Sequence, residues 1–178
     1  RADGVFVGGD AAGIGAVLLL AACTAPIPAD VELVSVEAVA PKGSKLLAGM
    51  LPAGLTADTE RRPLRVAFAS RVNLVRFVTF HNYSLNVDAR FCDAAAGAQN
   101  LAVSAIYWQG VPLAPGGPDP IEAQKESRDD LVAYSFLVDA GKDASPAGDI
   151  CFNVTGGNAE RGYRSNTVVI PQIEIEMA

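Results

Sequence analysis

The sequence holds one histidine in 178 residues, His81, and that scarcity bounds its chemistry from the start. A Ser-His-Asp triad would have to be built around His81, with Ser84 and Asp88 its nearest partners in sequence. The G-x-S-x-G turn that presents a nucleophilic serine is absent. Closely spaced His/Cys ligands for zinc are also missing. So is the D-x-D-x-D-G calcium loop, although Glu126-Ser127-Arg128-Asp129-Asp130 gathers carboxylates in what reads as a solvated turn. Basic clusters are lacking too: 14 Lys and Arg stand against 20 Asp and Glu, for a net charge of −6. Arg61-Arg62 and Arg65 come nearest, and Pro63 interrupts them. Phosphate backbones need concentrated positive charge, so nucleic acid is not an expected partner. No metal or cofactor is expected either. Charged residues make up only 19% of the chain and apolar ones 50%, a balance that favours a packed core over disorder. No internal repeat is visible, and the length fits one domain with a tail.

Charge disappears altogether from Ala11 to Ala29, and Ala11 to Ala22 form a compact apolar run. A run of about twelve residues suits the h-region of a signal peptide, whereas a bilayer-spanning helix needs about 20. It ends in Leu20-Ala21-Ala22-Cys23, which resembles the lipobox of bacterial lipoproteins: a Leu, two small residues and an acceptor Cys. That resemblance implies that the Cys23 thiol takes a diacylglycerol and that a peptidase cuts just before it. Small side chains at Ala21 and Ala22 would fit a narrow protease groove, and acyl chains at about 0.8 kcal/mol per buried CH₂ would hold the protein on a membrane. The positive charges that open such a segment would lie upstream of Arg1. The alternative keeps residues 11–29 as a transmembrane helix of a bitopic subunit in a membrane complex. Asp3 to Ala12, with Gly8-Gly9-Asp10, also looks like the FAD-contacting segment of flavoprotein oxidoreductases, but the G-x-G-x-x-G turn such enzymes need is absent downstream.

Beyond Cys23, two prolines in Pro26-Ile27-Pro28 resist helix and sheet, so residues 23–30 read as a tether. From Val31 onward the apolar spacing is mostly two. Val31 to Ala40 alternates with a slip near Leu33-Val34 that suggests a bulge. Leu64, Val66 and Phe68 share a face; Leu85, Val87, Ala89 and Phe91 oppose Asn86, Asp88 and Arg90. Val132, Tyr134, Phe136 and Val138 form another face, as do Ile150, Phe152 and Val154. Residues 74–80 are apolar on both sides apart from Arg76 and Thr79 and read as a central strand, Leu101 to Trp108 as a further strand, and Ile173, Ile175 and Met177 as a closing strand. Short alternating runs broken by Gly, Pro and Asn predict an all-β fold: an antiparallel β-sandwich of about eight strands over residues 31–178. One or two short helices are expected, at Ser44–Leu51 and from Asp119-Pro120, with Leu113 to Pro120 as a loop.

With Cys23 assigned to lipid, Cys92 and Cys151 remain as an even pair, which suits an oxidising compartment outside the cytosol. Cys92 falls on the face of Asn86, Asp88 and Arg90, and Cys151 on that of Asp149, Asn153 and Thr155. Both project away from the apolar side, where free thiols would be oxidisable, and a bond between them is expected. The order Cys92, Trp108, Cys151 resembles the immunoglobulin pattern. In that family the cysteines point into the core and a Tyr sits two residues before the second, where Asp149 stands here, so the resemblance reaches architecture only. Asn82-Tyr83-Ser84 and Asn153-Val154-Thr155 match the N-glycosylation pattern and read as coincidence beside a bacterial lipobox. Gly156 to Tyr163 reads as a long hairpin loop, and Arg161, Tyr163 and Arg164 have the residue types of interface hot spots. The expected protein is a non-catalytic, lipid-anchored accessory, assembly or binding subunit. It would be exported to the periplasmic or extracytoplasmic side and would meet a membrane or envelope protein partner. An envelope hydrolase using His81 is the alternative from a different class.

Overall fold

The computed structural model describes residues 31–40, 49–56, 62–95, 98–114, 117, 132–141, 148–160 and 162–178. The lipobox-like segment, the tether, most of Ser44–Leu51, the Asp119-Pro120 segment, Glu126 to Asp130 and Arg161 lie outside them. Alternating sequence here becomes alternating burial. In β1 (Val31–Ala38) and β2 (Leu64–Ser70) the apolar phase turns inward, and the strands pair antiparallel. The register shifts between Leu33 and Ser35, leaving Val34 59% exposed. That is the bulge the broken alternation indicates.

After β2 the chain turns through α1 (Leu74–His81), where the sequence pattern points to a strand. The physical reason lies in which residues are buried. Leu74, Val75, Phe77 and Val78 occupy one helical stripe, while Arg76 and Phe80 face solvent. The ends are specified locally. Asn73 caps the helix, its Oδ1 accepting from the Arg76 N–H at 3.3 Å. The Tyr134 hydroxyl accepts from the Leu74 N–H at 2.8 Å. Asn82 takes a left-handed conformation at φ 52°, and the Tyr83 N–H closes back on the Phe77 carbonyl at 3.0 Å.

The remaining strands are β3 (Ser84–Phe91), β4 (Ala102–Val103), β5 (Tyr107–Trp108), β6 (Val111–Pro112), β7 (Val132–Asp139), β8 (Ile150–Gly157), β9 (Gly162–Arg164) and β10 (Val168–Ile170). The expected single strand from Leu101 to Trp108 is thus two short ones, β4 and β5, which both pair with β7. The larger sheet runs β1-β2-β7-β5-β6 with β4 also on β7, and the smaller runs β10-β8-β3 with β9 also on β8. Every strand pairing among the described residues is antiparallel. Along the chain β2 is followed by β3 and β7 by β8, so neighbouring strands of the larger sheet lead to neighbouring strands of the smaller.

Between the layers lies a core built around Phe68, Phe136 and Phe152, all essentially inaccessible to solvent. β7 is buried on both sides. Its outer Leu137 is covered by Met50 and Tyr107, which form a second, smaller cluster. The chain ends not in a strand but in α2 (Gln172–Met177). Of the apolar residues there only Ile175 is buried; Ile173 and Met177 are exposed, because a helix does not hold positions two apart on one side. Gln172 ties the helix down, its N–H donating to Asp149 Oδ1 at 2.9 Å and its side chain to Glu176 at 2.7 Å. The fold is an all-β antiparallel sandwich, as the alternation predicts, with helix at α1, at α2 and at Gly49-Met50, the described part of the expected Ser44–Leu51 helix.

Candidate functional site: the outer face of the smaller sheet

The smaller sheet buries Val87, Ala89, Phe152 and Val154 against the core, so the alternate residues of β3 and β8 form its outer face. Register sets their order: Asp88 stands opposite Asn153, Arg90 opposite Cys151, and Thr155 opposite Arg164 of β9. β8 approaches β3 closely at its far end. A Cβ on Gly156 would collide with the Ser84 carbonyl oxygen and with Leu85, which accounts for glycine there. Asp88, Arg90, Cys151, Asn153 and Arg164, with Asn100 and Thr167 from adjoining connections, line an open depression of about 130 Å³.

One wall of the depression is covalent. Cys92 and Cys151 are bonded, with Sγ–Sγ 2.11 Å and Cα–Cα 4.9 Å. The Cys92 N–H donates to the Asp149 carbonyl at 2.8 Å, extending the β3–β8 ladder one step past β3. The bond therefore runs diagonally between neighbouring strands of one sheet, on the polar face that the strand phases indicate. An immunoglobulin disulfide crosses between sheets, so this one departs from that pattern.

Charge in the depression is unevenly satisfied. Asp88 accepts a hydrogen bond from the Thr155 hydroxyl at 3.2 Å. Arg90 and Arg164 are exposed, and among the described residues neither guanidinium forms an ion pair. At the floor Asn153 is only 8% exposed, and its Oδ1 is sealed from water with no hydrogen-bond partner. That burial leaves Asn153 no room as a glycan acceptor. The set consists of hydrogen-bond donors with fixed positive charge, one carboxylate and no aromatic platform.

The other residues singled out from sequence fall elsewhere. His81 is exposed at the end of α1, flanked by the rings of Phe77 at 6.0 Å and Tyr83 at 6.2 Å. Among the described residues no hydroxyl or thiol is hydrogen-bonded to its ring, and it does not line the depression. The long hairpin loop is shorter than expected, because Gly156 and Gly157 belong to β8 and Gly162 to Arg164 form β9. Tyr163 points the opposite way from Arg164, into the core, where it is 4% exposed with its ring 5.3 Å from that of Phe77. That takes it out of any contact surface in this state. Among the described residues no helix is long and apolar enough to cross a membrane, and residues 11–29 and Cys23 lie outside them. Alternation along β3 and β8 places Asp88, Arg90 and Asn153 outward, yet only the register and the two connections bring them into one depression.

Tyr163 gives a measurable consequence. Its hydroxyl is buried without a partner, and desolvation pushes its pKa from 10.0 up to about 12. In the unfolded chain the phenol ionises near its ordinary value, so its contribution to stability is complete below that value. It is lost as pH rises from 10.0 toward about 12. Tyr163→Phe removes a group that pays desolvation with no hydrogen bond in return, so the variant should be as stable as the parent or more so, by up to about 1 kcal/mol. It should also weaken the alkaline decline. Thermal melts from neutral to alkaline pH check both, and a loss beyond about 1 kcal/mol at neutral pH would mean that the hydroxyl has a partner.

Compared with protein-family models, with curated proteins and with solved structures, the chain matches none.

Proposed function

We propose that the protein is an exported, lipid-anchored β-sandwich that works by contact rather than catalysis, as an accessory, assembly or binding subunit at a cell envelope. In this reading Cys23 carries the lipid, residues 24–30 lift the domain from the membrane, and the sandwich meets an envelope or membrane protein on the extracytoplasmic side. The observation that carries it is the use of the cysteines. Cys92 and Cys151 are joined, which suits an oxidising compartment, and of three cysteines in the chain that leaves Cys23 at the end of its apolar run. Two or more acyl chains on one thiol and one amino terminus supply the double signal that stable anchoring requires.

Intact mass of the full-length protein, extracted with detergent from native membranes, tests this directly. The expected mass is that of a chain beginning at Cys23 plus acyl groups, and Cys23→Ala should stay unprocessed and unlipidated. An unmodified mass retaining residues 1–22 would overturn the anchor.

A further inference from the structure

The depression on the smaller sheet has a donor set that no membrane anchor explains, and we propose that it binds the acidic end of a small hydroxylated organic acid, of the sugar-acid class. This goes beyond the contact role proposed above and does not depend on Cys23. Arg90 and Arg164 stand on either side of β8, exposed and without an ion pair among the described residues, so both guanidinium groups are available to a carboxylate. Fixed positive charge of this kind selects the sign of the ligand. The rest of the lining selects its polarity. Asn100, Asn153 and Thr167 offer amide and hydroxyl groups that both donate and accept, and Asp88 keeps acceptor capacity beyond its bond from Thr155. An inorganic oxyanion would meet repulsion from Asp88, whereas the hydroxyls of an organic acid would donate to it.

Asn153 supplies the second, independent observation. It is more than nine-tenths buried at the floor of the depression, and its Oδ1 makes no hydrogen bond. An unpartnered amide oxygen at this depth is costly, and a small displacement of the side chain that lets a ligand hydroxyl reach Oδ1 would relieve that cost. The depression holds about 130 Å³ and is open to solvent. That admits a carboxylate with its neighbouring hydroxylated carbons and leaves the remainder of a larger molecule in solvent. The ligand would rest on a rigid surface, since β3 and β8 are paired over their full lengths and tied by Cys92–Cys151.

Calorimetric titration of the full chain with glucuronate is the test, with glucose, acetate and inorganic phosphate as separate arms. Saturable binding of glucuronate, tighter than acetate or phosphate and absent for glucose, is expected. Arg90→Gln and Arg164→Gln are surface changes that should leave the circular dichroism spectrum and melting temperature unaltered, yet each should weaken glucuronate by about ten-fold or more, as loss of a charged hydrogen bond does. Failure of glucuronate to bind, tighter binding of phosphate or acetate, or binding unaffected by both arginine variants would each overturn the proposal.

Discussion

Replacing Cys92 and Cys151 together by serine should lower the stability of the folded domain by about 4 kcal/mol, with the fold retained. The bond closes a loop with a sequence separation of 59. In the chain-entropy account, a cross-link over that separation removes about 4 kcal/mol of conformational freedom from the unfolded chain. For a domain of about 150 residues, this corresponds to a fall of about 8–16 °C in melting temperature. Native pairing survives because β3 and β8 are already held by an eight-residue register from Ser84↔Gly157 to Phe91↔Ile150. The double variant should therefore keep the far-ultraviolet spectrum of the parent. Reducing the parent protein before melting should reproduce the variant's melting temperature, since both release the same loop. A loss below about 1 kcal/mol would show that the unfolded chain already keeps residues near 92 and 151 together, so that the cross-link removes little freedom.

Which parts of this molecule could be read from sequence follows from how many surfaces each element meets. β2, β3 and β8 have one face against the core and the other toward water or a half-buried edge, so period two is written plainly in Leu64-Val66-Phe68, Leu85-Val87-Ala89 and Ile150-Phe152-Val154. The bulge at Val34 is legible because one extra residue interrupts that period. Residues 74–80 are not, since five apolar residues in seven fit either a strand buried on both sides or a short helix. What decides is the Asn73 cap and the Tyr134 hydroxyl, and the second of these lies 60 residues away. The C-terminal Ile-Glu alternation misleads for the same reason: over so few residues, two-fold spacing does not exclude helix. The candidate site is half legible. Strand phase gives the side on which Asp88, Arg90, Cys92, Cys151 and Asn153 emerge, and the cysteine count gives the bond. Register between β3 and β8, and the placement of Arg164, Asn100 and Thr167 beside them, are long-range facts that no local pattern carries.

The aromatic contact between the two sheets carries the other large effect. Phe152 is 1% exposed, and it is the smaller sheet's ring in the central trio. Its centroid lies 5.9 Å from Phe68 and 5.2 Å from Phe136, the latter edge-on, and both partners belong to the larger sheet. Phe152→Ala removes the whole ring between layers that the surrounding strands hold at fixed separation. The cost is then the lost transfer free energy plus that of a cavity the rigid sheets cannot close, about 3–5 kcal/mol. The edge-to-face geometry with Phe136 adds a contribution that an aliphatic replacement does not restore, so Phe152→Leu should fall between alanine and the parent. Val169→Ala serves as the control. It lies opposite Cys151 in the adjacent β10, is 46% exposed, and should change stability by no more than about 0.5 kcal/mol. Equilibrium denaturation of the variants, with the denaturant slope held as a check on two-state behaviour, gives the comparison. If Phe152→Ala and Val169→Ala prove equally mild, the two sheets do not bury their aromatic faces against each other, and the sandwich itself is refuted.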